Sequence, residues 1–303
     1  MKILVLGASG LLGANFTMSA INRGHTLVAT YLTHPVEFPD TPSLGVDLTN
    51  SKEVQLIIDK IRPDWVVNCA AETNLDYCEE NPDNAFKKNV LIPRNIVKAV
   101  SKWGIKVAQI STDNVFPGVL GYYGEDSIIN PINEYGRTKY LGEQAVKGNC
   151  DYLLIRTTFY GMNIQNKLSM AEWMLKNFQQ GIEFTGFSNV MGSFIDAASL
   201  SDVILDLMSK DCIGIFHVGS HDFMAKYGFG LELAKVFKLD SSKMKRGYIE
   251  DVNLRAKRPS NLSLNVSKVE TFLRRDMPTI RAGLERFKLL RETRFLDEVR
   301  IRE

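Results

Sequence analysis

The chain has 303 residues, enough for one large unit or two smaller ones with a substantial core. Its 45% hydrophobic and 24% charged content is that of an ordinary globular protein, and a net charge of +2 gives no footing for nucleic acid or a membrane surface. No apolar run is long enough to span a bilayer, and the four scattered cysteines (Cys69, Cys78, Cys150, Cys212) read as reduced thiols of a cytoplasmic chain, not as a disulfide framework.

Residues 2–6 read as a short buried strand, which suits the N-terminus better than a signal peptide does. Gly7-Ala8-Ser9-Gly10-Leu11-Leu12-Gly13 follows at once, then a helical run to Arg23. Strand, glycine turn and helix in this order form a dinucleotide-binding opening: the glycines let backbone approach a pyrophosphate, and the helix start offers it free N–H groups. The next strand, up to Leu32, ends where an adenosine ribose would lie. A carboxylate there, about 20 residues past the glycines, would select the 2′-hydroxyl of NAD. Tyr31, Leu32, Thr33 and His34 supply none, and no Arg or Lys replaces it, so the expectation leans to NADP(H) over NAD(H). Residues 34–45 read as a loop.

Val46-Asp47-Leu48-Thr49 reads as a strand ending at Asp47, which would hold the adenine amino group; the competing reading is helix capping at its neighbours. Trp65 to Ala71 is a strand ending in the small residues Cys69, Ala70 and Ala71, which would let a cofactor lie close. Glu72 to Asn81 reads as a loop into a helix through Asn89 to Trp103. Lys106 to Ile110 is the next strand, carrying Ser111, Thr112 and Asp113 at its C-terminal end, where parallel sheets bind ligands. A long loop, 114–131, precedes a helix bearing Tyr135 and Lys139. Four residues apart, these two share one helix face, and an ammonium beside a phenol is expected to pull the phenol pKa down.

Tyr152 to Arg156 is another strand. Beyond it the alternation loosens: a helix over 162–180, a strand and a helix within 193–208, and a strand over 213–218. The remainder is helix-rich, with a basic set (Lys243, Lys245, Arg246, Arg255, Lys257, Arg258) that reads equally as a diphosphate contact or as a solvated face. His217 and His221, beside Asp222, straddle a turn, so no metal site is expected. Residues 281–303, with seven basic and five acidic side chains around Leu284, Phe287, Leu290 and Leu296, read as an amphipathic terminal helix docked on the body or on a partner.

These motifs resemble the extended short-chain dehydrogenases/reductases, and within them the dTDP-4-dehydrorhamnose reductase group. The resemblance covers nearly the whole chain. It is carried by Gly7-x-x-Gly10-x-x-Gly13, Pro63 to Thr73, Ser111-Thr112-Asp113-Asn114-Val115-Phe116, Tyr135-Gly136-Arg137-Thr138-Lys139 and Arg258-Pro259-Ser260-Asn261. It implies an α/β, Rossmann-like doubly wound parallel sheet over residues 1–160, completed by parts of about 190–218, with 161–303 mainly binding substrate. It also implies reduction of the C4 keto group of a nucleotide-linked 4-keto-6-deoxy sugar. Tyr135 would give the proton, Lys139 would hold the nicotinamide ribose and lower the Tyr135 pKa, and Thr112 would bond the reacting oxygen. The cofactor set is Gly7, Ser9, Gly10, Leu11, Leu12, Gly13, Tyr31, Asp47, Leu48, Cys69, Ala70, Ala71, Asn89, Tyr135 and Lys139. The substrate set is Thr73, Asp113, Asn114, Phe159 and Arg258. A homodimer is the expected assembly.

The chain departs from the group's pattern on the substrate side: Glu72 and Asn114 stand where tyrosines are usual, and Thr157 to Gly161 lacks the usual tryptophan. Two other readings share the fold. A nucleotide-sugar epimerase or dehydratase is one, although dehydratases resembling this superfamily carry Asp-Glu after the threonine and this chain has Asp113-Asn114. A cofactor-binding regulatory subunit, like the beta subunit of methionine adenosyltransferase, is the other.

Overall fold

Short apolar runs hemmed by turn residues become strands, and seven of them pair side by side in the computed structural model, which describes residues 1–301. The order across the sheet is Gly214–His217, Tyr152–Arg156, Lys106–Ile110, Trp65–Asn68, Lys2–Leu6, Thr26–Tyr31 and Ser43–Gly45, and every neighbouring pair is parallel. Alternate side chains of a strand point to opposite faces. Ile3 and Val5 join Phe16, Leu200 and Ile204 in one cluster, whereas Leu4 and Leu6 join Val54, Ile58 and Ile96 in another. The sheet is therefore covered on both sides, which is why its strands read as near-continuous apolar runs. Helices Leu11–Asn22 and Ala197–Ser209 cover the first face; Ser51–Ile61 and Ile92–Val100 cover the second. The chain runs outward from Lys2–Leu6 in one direction through the second and third sheet strands, then crosses to its other side with Trp65–Asn68. The crevice at that reversal is where open parallel sheets bind ligands.

A third cluster, built on Tyr160, Met174, Phe178, Phe184, Phe229 and Phe287, belongs to the C-terminal part. Helices Met170–Gln180, Lys226–Phe237 and Ile280–Glu292 enclose it. The last of these docks on the body through Ile280, Leu284 and Phe287.

Several boundaries differ from the sequence expectation. The third sheet strand is Ser43–Gly45, not Val46–Thr49; it lies within the stretch read as loop, and Asp47 sits in the turn after it. Leu75–Glu80 and Pro82–Phe86 are helical, and Lys87–Leu91 forms a π-type turn leading into Ile92–Val100. The helix expected from Met162 begins at Met170. There Ser169 accepts from the Glu172 N–H while the Glu172 carboxylate accepts from the Ser169 N–H, a reciprocal cap that fixes the start. The terminal helix stops at Glu292, and Arg300–Ile301 then returns as a strand antiparallel to Val36–Glu37; Arg302 and Glu303 lie outside the described residues.

Candidate active site

One cleft of about 800 Å³ opens at the C-terminal edge of the sheet. It is lined in turn by the residues that follow each strand: Ser9 and Gly10, Tyr31 to His34, Asp47 to Thr49, Cys69 to Ala71, Ser111 to Asn114, and Thr157 to Phe159. Tyr135 and Thr73 also stand in its wall.

The glycine turn is built for an anion. At Gly13, a Cβ would stand 2.2 Å from the Gly7 carbonyl oxygen and 2.7 Å from Ala8 Cα, so only glycine lets the helix start this close to the strand. The helix has Gly10 as its cap, with no side chain bonded to its first N–H groups and no acidic residue in its first turn. Those N–H groups and the positive end of the helix dipole suit a phosphate. Gly13 packs beneath this turn; it is not part of the lining. The Asp47 carboxylate is engaged locally, accepting from the Thr49 N–H at 2.9 Å and hydroxyl at 2.7 Å; Asn50, not Asp47, caps the following helix by accepting from the Lys52 N–H.

The Tyr135 helix, Glu134–Val146, is capped by Asn133, whose Oδ1 accepts from the Gly136 N–H at 2.8 Å and whose amide donates to the Lys257 carbonyl at 3.0 Å. One side chain thus starts this helix and ties it to the arginine-proline segment. Gly136 allows the helix to touch the strand end: a Cβ there would meet the Asn114 carbonyl oxygen at 2.1 Å. These contacts set Tyr135 beside Thr112.

Electrostatics correct one expectation. The Tyr135 pKa is raised, not lowered: burial dominates, contact with Thr112 opposes it, and the nearby Asp113, Cys78 and Glu72 add to the rise. Lys139 is not among the groups that act on it. The Lys139 ammonium stands behind the cleft wall, donating to the Ile110 carbonyl at 2.7 Å, and burial brings its pKa down to about 8 against the pull of Glu143. A raised phenol keeps its proton across the neutral range, the state a proton donor needs.

Asp113 is buried and accepts from the Asn114 amide at 2.8 Å and the Thr112 hydroxyl at 3.1 Å. Burial pushes its pKa up to about 6 in spite of these bonds and of Lys226. Asn114 Oδ1 and Thr157 Oγ1 are buried with no partner in the protein, so the cleft presents polar atoms ready for a ligand. A glycine cradle at one end and unpartnered polar atoms beside Tyr135 at the other fit a dinucleotide and a polar substrate.

Not every sequence candidate meets the cleft. Asn89 instead clamps its wall: its side chain accepts from the Glu72 N–H at 2.9 Å and donates to the Glu72 carbonyl and the Thr138 hydroxyl, both at 3.1 Å. Arg258 is held by Asp76 at 2.9 Å and stands off the lining. The rest of the basic set does not converge: Lys245 and Arg246 lie on the strand Met244–Gly247 that pairs Phe184–Phe187, Lys243 just precedes it, and Arg255 pairs with Glu80 at 2.8 Å. His217 is buried, bonded through Nδ1 to the Tyr123 carbonyl at 2.9 Å, and burial takes its pKa down to about 3. His221 pairs elsewhere, with Glu270 at 2.7 Å; its ligand atoms, with those of Glu270 and Asp276, lie within 4.8 Å of one another at the surface.

Sequence reasoning missed Lys87, Lys88, Gln165 and Lys167, all in the lining. Lys88 pairs with Glu72 at 2.9 Å, and Gln165 donates to the Ser9 carbonyl at 2.7 Å, drawing the 163–169 segment over the glycine turn. The two adjacent lysines and the polar 163–169 stretch carry no motif, so only the fold reveals them.

The pattern of the RmlD substrate binding domain matches residues 1–291. The "Probable low-salt glycan biosynthesis reductase Agl14" of Haloferax volcanii is 32% identical over 289 residues, 94% of this chain and 96% of that protein. "Methionine adenosyltransferase 2 subunit beta" of Mus musculus is 30% identical over 279 residues, 89% of this chain and 82% of that one. A crystal structure of dTDP-4-dehydrorhamnose reductase from Bacillus anthracis in complex with NADP superposes with a TM-score of 0.84 at 27% identity, covering 95% of this chain and 98% of that one.

Proposed function

We propose, for a chain that belongs to the RmlD substrate binding domain family, that this NAD(P)-dependent oxidoreductase reduces the C4 keto group of a nucleotide-linked 4-keto-6-deoxy sugar. One observation carries this reading: a protonated, buried phenol beside a hydroxyl lies in the same cleft as an anion-binding glycine turn.

When bound, the nicotinamide supplies the hydride. Tyr135 then gives its proton to the developing alkoxide, and the Thr112 hydroxyl bonds the same oxygen. Such acid assistance is worth about 10²–10⁴ in rate. Lys139, bonded to the Ile110 carbonyl, would hold a positive charge behind the phenol and, on turning from that carbonyl toward the cleft, would hold the nicotinamide ribose. Gly7 to Gly13, with the first helix N–H groups, receives the pyrophosphate. Asp113, Asn114 and Thr73 orient the sugar, with Phe159 along its side. NADPH is the preferred donor, because no carboxylate in Tyr31 to His34 repels a 2′-phosphate and the Bacillus anthracis relative is a complex with NADP.

The test is Tyr135→Phe. With a panel of dTDP-, GDP- and UDP-linked 4-keto sugars, turnover of NADPH is expected to fall by about 10²–10⁴ while NADPH affinity holds. Near-normal turnover in that variant overturns the assignment. The likeness to the methionine adenosyltransferase beta subunit favours a second reading, a regulatory cofactor-binding subunit. A purified chain that binds NADPH, reduces no sugar of the panel and co-purifies with a second protein supports that reading instead.

A further inference from the structure

Leu32, Thr33 and His34 line the ligand space at the rim of the cleft, and the segment they open, up to Ser43, forms a lip beside it. These three side chains are themselves exposed. Within the lip there is a single bridge, between Phe38 and Thr41. Its strand, Val36–Glu37, is paired by the far end of the chain: Arg300 stands opposite Glu37 and Ile301 opposite Val36 in an antiparallel pair of strands.

The tail is built to return there. After Ile280–Glu292 the backbone turns through Arg294 in a left-handed conformation, and successive turns follow, the Phe295 N–H bonding the Leu290 carbonyl and the Val299 N–H the Leu296 carbonyl, both at 3.0 Å. Leu296 is buried, with Phe295 and Val299 packed against the same cluster that holds Val36 and Phe38. Apolar burial and strand pairing therefore fasten tail and lip together. The family match ends at residue 291, so the tail half of this fastening lies beyond it.

We propose that residues 294–301 act as a clasp that positions the lip of the dinucleotide cleft, so that cofactor affinity depends on the docked tail. The inference rests on the cofactor reading above. A lip that is held in its binding arrangement only a fraction of the time weakens the apparent affinity by that fraction. By reciprocity, a bound cofactor tightens the tail.

Two measurements test this. A chain ending at Thr293 is expected to bind NADPH about tenfold more weakly than the full-length chain, the value for a lip in place a tenth of the time. In the full-length chain, hydrogen exchange with and without NADPH is expected to slow in residues 294–301 and 36–38 together with the glycine turn; this readout stands even where the truncated chain fails to fold. Slowed exchange at the glycine turn with the tail and lip unchanged overturns the clasp, as does full affinity in the truncated chain. Absence of NADPH binding to the full-length chain overturns the cofactor reading, and the clasp with it.

Discussion

Replacing Glu143 by Gln probes the one charge pair among the described residues that the fold seals completely. Arg156 and Glu143 are both 0% exposed, joined by Nε to Oε1 at 3.0 Å and Nη2 to Oε2 at 2.8 Å, and the Ser111 hydroxyl donates to the same carboxylate at 2.6 Å. The amide keeps the shape and leaves the guanidinium without its counter-charge. Breaking a buried pair from one side costs about 3–5 kcal/mol. At roughly 2–4 °C per kcal/mol, the melting temperature is expected to fall by about 6–20 °C. The pair lies one helical turn beyond Lys139, and the Glu143 charge is what opposes the fall of the Lys139 pKa below about 8. The variant therefore loses Lys139 charge at a lower pH than the wild type, and its activity optimum moves down. Thermal melts and a pH–rate profile read both effects. The double variant Glu143→Leu/Arg156→Met, which removes both charges, is expected to recover much of the loss. A single variant that melts within about 1 °C of wild type, or a double variant worse than the single, refutes the account of this pair.

Three further outcomes follow from the same geometry. Activity of the wild type is expected to decline above about pH 8, where Lys139 loses its proton, and Lys139→Met is expected to lack that alkaline limb; a limb that persists in the variant assigns it elsewhere. The Asp113 pKa is raised from 3.8 to about 6, so its stability penalty is absent below about pH 4 and grows as pH rises through 6. Asp113→Asn is therefore expected to melt higher than wild type at pH 7 and equally at pH 4, at the cost of sugar affinity; an equal melting temperature at both values counts against the burial argument. Gly13→Ala places a methyl 2.2 Å from the Gly7 carbonyl oxygen, so NADPH binding measured by fluorescence is expected to be lost, and retained affinity shows that the turn yields more easily than its packing indicates.

The sheet was legible because its strands are buried on both faces and announce themselves as unbroken apolar runs, with the glycine turn and Tyr135–Lys139 as local patterns. The exposed three-residue strand Ser43–Gly45 had no such run, and the turn residues around it mimicked a loop. Lys87 and Lys88 carry no local pattern, and nothing in their sequence shows that a π-type turn brings them to the cleft. Helix spacing places Lys139 on the same face as Tyr135 but says nothing of burial, which is what sets the Tyr135 pKa. Pairing between Arg300–Ile301 and Val36–Glu37 joins the two ends of the sequence, where no periodicity reaches.

Asn133 gives the molecule a mechanical linkage. Its carbonyl oxygen grips the first turn of the helix that carries the phenol, and its amide grips Lys257, next to Arg258. The arginine-proline stretch is thereby joined through a single side chain to the start of the tyrosine helix. Asn133→Asp retains the grip on the helix and releases the other, uncoupling the two without unwinding either.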